Sequence, residues 1–441
     1  MNPLLELPEL RALERPHSLV RIPDQTDVPL TPRIARLVDS VAMRRLSSIK
    51  QLGFVSLVYP GANHTRFEHS LGVYRMALLF LRQLAADDRF QQSVDANLAE
   101  RFIVAALLHD IGHWPYCHVI EDIGLQNVPK HETLAAKYIS QTEIAKCLRL
   151  DWNIEPQEIA DLLAGKGDSA GIRLIGSMLS GPIDVDKMDY LTRDSLHCGV
   201  PYGRNFDTPR LISSLCMNRA GDRIAITNKG RTAAELMVFA RYVMFSEVYW
   251  HHAVRSASAM FQRAFYLMRN SLDLKHLTNS DDSSLAKNML DQSRGLAAEQ
   301  LLVGLFGPTR HLYKRWAQFS FFEHPDVFRR VARQPYSQLL DLSQRVAEIL
   351  SLRLGRSLSP IDILIDAPPM ELEVQFDVDV LNAKKGSYLP MAQLSPVVHS
   401  LAKVQFDDFV KQVRLFVQPQ LAPYLKSIDA EPIIMEALAT E

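Results

Sequence analysis

The sequence predicts a mainly α protein with a large helical body and a small α+β region at its C-terminus. Apolar residues recur at helical spacing along most of the chain, whereas short β-like segments separated by turns appear in the last 80 or so residues. At 441 residues, with 47% hydrophobic and 22% charged residues, the chain has the composition of an ordinary globular protein of two or three structural units. We predict a helical core over 1–275, a helical extension over 276–355 and a small α+β region over 356–441.

Charge and cysteine content exclude several classes of protein. The 49 Lys and Arg residues balance 50 Asp and Glu residues, so no global field attracts nucleic acid or an anionic membrane. The four cysteines form no C-x-x-C pair and are too few for a disulfide framework. The N-terminus lacks the pattern of a signal peptide, and apolar runs fall far short of the roughly 20 residues that cross a bilayer. We therefore expect a cytoplasmic protein without a membrane partner, and the charge balance does not favour a nucleic-acid partner without excluding one.

The first helices are predicted from capping residues and apolar faces. Thr31 is a candidate N-cap with Pro32 at the first helical position. The helix that follows would turn five apolar side chains inward: Ile34, Leu37, Val38, Val41 and Met43. A Gly/Asn loop then leads into a long amphipathic helix, whose apolar face carries Leu71, Tyr74, Leu78, Leu81 and Ala85.

A nearly apolar helix is predicted over 97–108, and Gly112 and Pro115 end it just after His109 and Asp110. Further helices are predicted at 131–140, 158–164, 177–189 and 232–270. Residues 276–288 are rich in Ser, Asp and Asn, which is typical of a loop or hinge. Strands are predicted at 223–228, 361–367, 371–376 and 414–418, with a turn at 384–388.

Three segments concentrate histidine and carboxylate residues. They are HTRFEHS from residue 64, HDIGHWPYCH from residue 109, which Glu121 and His131 follow, and DVDKMDYLTRD from residue 184. Six of the fourteen histidines lie between residues 64 and 131. Each motif alone is as compatible with a packed or salt-bridged structural residue as with a ligand. Their joint occurrence predicts a metal site.

Imidazole and carboxylate together suit a divalent ion such as Mn, Fe, Co, Ni or Zn, with Mg compatible where carboxylates and water dominate. Adjacent residues on a regular helix point about 100° apart, so His109 and Asp110 can converge on one ion only where the helix ends. The apolar helix before them places the pair at the floor of a dry pocket. Buried charge there requires a partner or a metal.

These motifs resemble those of the HD-domain metal-dependent phosphohydrolases, and in particular the deoxynucleoside triphosphate triphosphohydrolase branch. The resemblance extends from about residue 29 to residue 254, through IKQLG (49–53), PGANHTRFEHSLGV (60–73), ALLHDIGHWPYCH (106–118) and DVDKMDYLTRD (184–194). It implies an HD-domain helical bundle with a small C-terminal α+β appendix. It also implies that a metal-activated water attacks the α-phosphorus of a dNTP and releases a deoxynucleoside and tripolyphosphate.

The resemblance also implies roles for individual residues. The metal ligands would be His69, His109, Asp110 and Asp186. The catalytic group would be His113, His118 and His131, with Glu121 orienting His131; which histidine protonates the leaving oxygen stays open. The substrate contacts would be Gln51 and Leu52 under the sugar, Arg66, Lys187, Tyr190 and Arg241 around the phosphates, and Asp194 at the 3'-hydroxyl. The Leu52 side chain would crowd a 2'-hydroxyl and favour deoxyribose.

The sequence departs from the family pattern at Trp114, Cys117 and Trp250, and residues 18–28 lack the pattern that binds an activating nucleotide in several members. Two alternatives therefore stay open. The chain could be another HD phosphohydrolase, acting on a nucleoside monophosphate, a cyclic nucleotide or an oligonucleotide, or a nucleotide-binding regulatory protein without turnover. We expect a homo-oligomer, either a dimer or a tetramer.

Overall fold

The computed structural model describes residues 2–369, 377–403, 408 and 410–439, and it is mainly α, as predicted. The α-helices, named α1 to α24 in chain order, are Pro8–Ala12, Pro32–Val38, Val41–Arg45, Arg66–Leu84, Asp88–Ser93, Ala96–Leu108, Cys117–Glu121, His131–Gln141, Glu143–Cys147, Pro156–Leu163, Ala170–Leu179, Val185–Cys198, Thr208–Ser213, Arg231–Val243, His252–Met268, Leu274–Thr278, Asp282–Gln292, Glu299–Phe306, Pro325–Val331, Tyr336–Leu354, Met391–Leu394, Pro396–Lys403, Ala422–Leu425 and Ala430–Ala439. Shorter 3-10 and π-helical turns connect several of them, at Pro3–Glu6, Leu46–Ser48, Gly53–Leu57, Leu148–Trp152, Tyr202–Arg204, Asn228–Gly230, Met244–Tyr249 and Pro360–Asp362.

Within the described residues, nine short strands form three small sheets. The strands, β1 to β9 in chain order, are Ser18–Ile22, Thr26–Leu30, Leu215–Met217, Ile224–Thr227, Lys314–Phe319, Ile363–Asp366, Asp379–Asn382, Ser387–Pro390 and Val413–Val417. β1 and β2 form an antiparallel hairpin, and β3, β4, β7 and β8 form a sheet in that order, in which β4 and β7 run parallel. In the third sheet β9 lies between β5 and β6 and is antiparallel to both.

The strand predictions at 223–228, 361–367 and 414–418 are confirmed by β4, β6 and β9, and the predicted turn at 384–388 connects β7 to β8. The strand predicted at 371–376 lies outside the described residues.

Three long helices, α4, α6 and α12, form the centre of the helical body. The predicted apolar face of α4 is confirmed, because Leu71, Tyr74, Leu78, Leu81 and Ala85 are all buried. α4 packs against both α6 and α12, and the last seven residues of α6 have no solvent exposure. A rigid apolar core therefore holds the helix ends that carry the histidine and carboxylate motifs.

Three local predictions were wrong. Val41 is 79% exposed, because the first predicted helix ends at Val38 and Ser40 caps a separate helix, α3. Residues 177–189 do not form one helix, because Gly181 and Pro182 separate α11 from α12. Residues 276–288 are largely helical, because Asp281 accepts a hydrogen bond from Ser284 N at 2.7 Å and caps α17.

In the part of the chain that the structure describes, two hydrophobic clusters fill the interior. The larger one includes the helical body and reaches β6, β7 and α22, and a smaller one lies between α19, α20, α24 and the sheet of β5, β6 and β9. The predicted boundaries at residues 275 and 355 stay a prediction. Across the described ranges, none of the helices combines the length and the apolar character that a bilayer crossing needs.

Candidate active site

The three histidine and carboxylate segments meet where α4 and α12 begin and α6 ends. Thr65 caps α4 and places Arg66 and His69 in its first turns. Asp184 caps α12 by accepting a hydrogen bond from Lys187 N at 2.7 Å, which places Asp186 in the first turn. α6 ends at Leu108, so His109 and Asp110 follow its last turn, as the sequence predicted.

The four predicted metal ligands are brought together. Nε2 of His69 lies 3.2 Å from Nε2 of His109 and 3.0 Å from Oδ1 of Asp186. Nε2 of His109 lies 3.4 Å from Oδ1 of Asp110 and 3.7 Å from Oδ1 of Asp186. Two ligands that share one ion at about 2.1 Å lie about 3.0–3.4 Å apart, so the separations of 3.0, 3.2 and 3.4 Å suit a single cation, and the 3.7 Å between His109 and Asp186 is longer. The ligand atoms of His69, His109 and Asp110 all lie within 4.8 Å of one another, and Asp186 approaches this group through the two histidines.

The hydrogen bonds of both histidines also fit a metal. Nδ1 of His69 donates to Oδ2 of Asp189 at 2.8 Å, and Nδ1 of His109 donates to the carbonyl oxygen of Ala106 at 2.9 Å. Once a cation replaces the Nε2 proton, each imidazole carries its proton on Nδ1 and keeps the lone pair of Nε2 for that cation. Two facing lone pairs beside two carboxylates are stabilised by a cation between them, so the donor set fits a divalent ion.

Electrostatics at the same place also favour positive charge. Burial lowers the pKa of His69, but the carboxylates of Asp186 and Asp189 outweigh it and raise the pKa to about 10. Burial would raise the pKa of Asp110, but His113 and Arg66 hold it well below its usual range. Nη1 of Arg66 donates to Oδ2 of Asp110 at 2.8 Å. Asp110 is therefore available as an ionised ligand.

Further side chains hold Asp189 in place, and none of them was among the predicted site residues. Arg193 binds both oxygens of Asp189 at 2.7 and 2.8 Å and donates to Oε1 of Glu68 at 2.7 Å. His197 contacts the same oxygen of Glu68 at 2.8 Å, and its ring stacks on that of His64. The signal in the sequence was the spacing, since Asp186, Asp189 and Arg193 fall at positions i, i+3 and i+7 on one face of α12.

The predicted catalytic group forms a separate cluster of imidazoles. Nδ1 of His113 lies 3.1 Å from Oδ1 of Asp110, and its Nε2 lies 3.1 Å from Nε2 of His118. The rings of His113 and His131 are 4.0 Å apart. Glu121 accepts hydrogen bonds from the backbone N of His131 at 2.8 Å and from its Nδ1 at 3.0 Å. The structure thus brings all four residues together.

A cavity of about 1210 Å³ connects the two clusters to the substrate residues. The predicted substrate contacts Gln51, Leu52, Arg66, Tyr190 and Asp194 line it. Among the described residues, Lys187 and Arg241 do not line this cavity. Nζ of Lys187 instead donates to Oδ2 of Asp184 at 2.7 Å, and the Arg241 guanidinium lies 5.4 Å from the centre of the Phe245 ring.

Both oxygens of Asp194 have partners: Oδ1 lies 2.8 Å from Nε2 of His64, and Oδ2 accepts a hydrogen bond from the Tyr249 hydroxyl at 2.6 Å. Tyr249 also lines the cavity, and the sequence analysis had missed it.

Of the three residues that depart from the family pattern, Trp250 is among the described residues that line this cavity, whereas Trp114 and Cys117 are not. Trp114 has no solvent exposure, and burial raises the pKa of the Cys117 thiol to about 12. Trp250 forms part of the cavity wall, and the Arg255 guanidinium stacks 4.0 Å above its ring.

Two family models match most of the chain. Residues 66–194 match the HD domain, and residues 206–418 match the HD-associated region. The HD match begins with Arg66 and ends with Asp194, and it includes all four predicted metal ligands.

Known proteins with similar sequences or folds span most of the chain. An uncharacterized protein of Methanocaldococcus jannaschii is 33% identical over 380 residues, which cover 85% of this chain and 74% of the relative. The deoxynucleoside triphosphate triphosphohydrolase SAMHD1 of Gallus gallus is 28% identical over 273 residues, which cover 54% of this chain but only 43% of that protein. The crystal structure of a hypothetical protein from Aquifex aeolicus superposes with a TM-score of 0.71 at 27% identity, covering 93% of this chain and 99% of that one.

Proposed function

Because the chain belongs to the HD-domain phosphohydrolase family, in its dNTPase-like branch, we propose that it is a metal-dependent dNTP triphosphohydrolase that releases a deoxynucleoside and tripolyphosphate. One observation carries the proposal: the metal-ligand cluster, the three imidazoles and the residues expected at the sugar line the same cavity. The similarity to SAMHD1 of Gallus gallus supports this substrate class.

His69, His109, Asp110 and Asp186 would hold the divalent ion. When bound, such an ion polarises a phosphoryl oxygen and lowers the pKa of a coordinated water. Mn, Fe, Co, Ni, Zn and Mg all stay compatible with two imidazoles and two carboxylates.

Arg66 is the cation best placed for a phosphate. Its Nη1 is bound to Asp110, while its buried Nε has no hydrogen-bond partner among the described residues. An unsatisfied buried N–H is costly, and an anionic oxygen in the cavity would satisfy it. Oε1 of Gln51 is likewise buried without a partner, which supports its proposed place beside the substrate.

The imidazole cluster can supply a proton to the leaving 5'-oxygen. When no metal ion is bound there, the contact of 3.1 Å between Nε2 of His113 and Nε2 of His118 requires a proton on one of the two nitrogens. The His118 side chain is 59% exposed and lines the cavity, so it can exchange that proton with solvent. We assign His118 as the proton donor, with Glu121 fixing the neighbouring His131.

Specificity for deoxyribose would come from Leu52, which lines the cavity beside Gln51. Leu52→Ala should remove the crowding at the 2' position and lower the ratio of dNTP to NTP turnover by about tenfold or more. Leu150→Ala, at a 72% exposed leucine, is the matched control and should leave that ratio unchanged. Equal use of dNTP and NTP by the wild type would contradict the role of Leu52.

One observation favours the alternative HD phosphohydrolase. Lys187 is bound to Asp184, and Lys187 and Arg241 are not among the described residues that line the cavity, so two of the cations expected around a triphosphate are not in place. A monophosphate or a cyclic nucleotide would not need them.

Product analysis distinguishes the two functions. The full chain is incubated with Mn²⁺ and dNTPs, NTPs, monophosphates, cyclic nucleotides or single-stranded DNA, and the products are separated by anion exchange. We expect tripolyphosphate from dNTPs and no turnover in Asp186→Asn. Release of pyrophosphate or single phosphate, or cleavage of monophosphates alone, would contradict the proposal. A cytoplasmic location and a dimeric or tetrameric assembly stay predictions.

A further inference from the structure

The cluster of His113, His118 and His131 has the composition of a metal site of its own. One ring nitrogen from each residue lies within 4.8 Å of those of the other two, and none of the three is among the ligands assigned above. The ring centres are 4.0, 4.9 and 5.1 Å apart, so the three imidazoles are direct neighbours.

The hydrogen bonds of the rings determine which nitrogens are available. Nδ1 of His113 faces Oδ1 and the backbone oxygen of Asp110, at 3.1 and 3.2 Å. Nδ1 of His131 faces both carboxylate oxygens of Glu121, at 3.1 and 3.0 Å. These carboxylate and carbonyl oxygens can only accept hydrogen bonds. Nδ1 of His113 and Nδ1 of His131 therefore donate, and the Nε2 atom of each ring keeps its lone pair.

His118 completes the group. Its Nδ1 lies 3.6 Å from Oε2 of Glu121 and its Nε2 lies 3.1 Å from Nε2 of His113. Two of the three facing ring nitrogens can share one proton in a hydrogen bond, whereas a metal ion can accept the lone pairs of all three. Glu121 behind two of the rings is the type of outer carboxylate that orients imidazole ligands and strengthens them.

We propose that His113, His118 and His131 form a second metal site, which takes one borderline transition ion such as Zn²⁺ or Co²⁺ with solvent as its further ligand. Three neutral nitrogens and no carboxylate in direct contact select these ions over Mg²⁺ and Mn²⁺, which prefer oxygen. The mixed set of His69, His109, Asp110 and Asp186 accepts Mn²⁺ as well. The two sites therefore differ in the metals they accept.

Occupation of this site has a functional consequence, which rests on the proposed function. A metal bound to Nε2 of His118 replaces the proton that this nitrogen would deliver to the leaving oxygen. Excess Zn²⁺ should therefore inhibit turnover of dNTPs by the Mn²⁺-loaded enzyme, and a chelator that removes the second ion should restore it.

The binding test counts ions without reference to turnover. The full chain, freed of metal with a chelator, is titrated with Co²⁺ while visible absorption is recorded, and bound Zn²⁺ is counted by equilibrium dialysis. We expect two ions per chain in the wild type, one in His118→Ala and one in Asp186→Asn. Both substitutions are at partly exposed side chains, and circular dichroism checks the fold.

His276→Ala is the matched control, because His276 is an exposed histidine on α16 that belongs to neither cluster, and this variant should keep two ions. His131→Ala provides a second variant that should also bind one ion. Saturation at one ion per chain in the wild type, or two ions retained in both His118→Ala and His131→Ala, would overturn the second site. An absence of dNTP turnover under every condition would instead contradict the proposed function and leave the ion count unaffected.

Discussion

Oδ2 of Asp189 accepts a hydrogen bond of 2.8 Å from Nδ1 of His69, and Asp189 is fixed in turn by the guanidinium of Arg193. This pair determines which nitrogen of His69 faces the candidate metal site. An outer carboxylate of this kind orients the imidazole and raises its basicity. The geometry of the site therefore depends on a residue that would never contact the metal.

We predict that Asp189→Asn weakens metal binding by about 10- to 100-fold, because the amide can accept the hydrogen bond but no longer carries the negative charge. The measurement is competition for Mn²⁺ against a chelator of known affinity. Asp341→Asn, at an exposed aspartate on α20, is the control and should bind like the wild type. An unchanged affinity in Asp189→Asn would remove Asp189 from the set of positioning residues.

Gly72 gives a second test of the same network. A β-carbon at Gly72 would overlap Oδ1 of Asp189 and Nη2 of Arg193, so Gly72→Ala must displace that pair. We expect a loss of stability of about 1–3 kcal/mol together with weaker metal binding. The measurements are chemical denaturation and the same chelator competition.

The control is a second helical glycine with open space around it. A β-carbon at Gly176, on α11, would meet no atom within 4 Å. Gly176→Ala should therefore stabilise the protein by about 0.5–1 kcal/mol, because alanine favours the helix more than glycine does. Equal changes in stability for Gly72→Ala and Gly176→Ala would show that the close approach of α12 does not require glycine at residue 72.

Strong periodicity made the central helices predictable from the sequence. The apolar faces of α4 and α6 and the termination of α6 at His109 follow from residue type and spacing alone. The capping role of Thr31 was equally readable. Because those helices fix where the histidine and carboxylate motifs lie, the composition of the candidate site could be predicted before its geometry was known.

Residues that suit both a loop and a helix N-cap were harder to predict. Asp281 and the serines that follow it are typical of loops, but the Asp281 side chain also caps α17, so composition alone could not decide between a loop and a helix. The local ion pair between Lys187 and Asp184, three residues apart, was not predicted either. Lys187 was expected to face a phosphate, and its partner Asp184 is determined by the turn of α12 on which both lie.

The ion pair between Lys187 and Asp184 leads to a third prediction. Asp184 has no exposed side-chain surface, so Lys187→Met would leave a buried carboxylate without its cation. We expect the free energy of unfolding to fall by about 3–5 kcal/mol. Urea denaturation measures this change, and the double variant Asp184→Asn with Lys187→Met should recover much of it, because asparagine also caps helices.

The same variants test the proposed phosphate contact. If Lys187 leaves Asp184 to bind a triphosphate, the double variant should be stable yet show a kcat/KM for dNTPs reduced by about tenfold or more. A stable double variant with wild-type kcat/KM would show that Lys187 has a structural role only.

The last prediction concerns Asp282, a residue of α17. Its side chain binds the backbone of Lys50, the residue just before Gln51 and Leu52. Oδ2 of Asp282 accepts a hydrogen bond from Lys50 N at 3.1 Å. Burial raises the pKa of this carboxyl group to about 6, although the bond from Lys50 opposes the shift. The folded protein therefore binds this proton more tightly than the unfolded chain does, and the free energy of unfolding should fall as the pH rises from about 4 to about 6.

Asp282→Asn keeps the acceptor oxygen and removes the charge. At about 1.4 kcal/mol for each pKa unit, we expect this variant to be more stable than the wild type above pH 6, by up to about 3 kcal/mol, and equally stable near pH 4. Thermal unfolding at pH 4 and pH 8 measures the difference. Asp282→Ala also removes the acceptor from Lys50 N and should be less stable than Asp282→Asn at both values of pH. A wild type that is more stable than Asp282→Asn at pH 8 would show that the ionised carboxylate contributes favourably where it lies, contrary to the raised pKa.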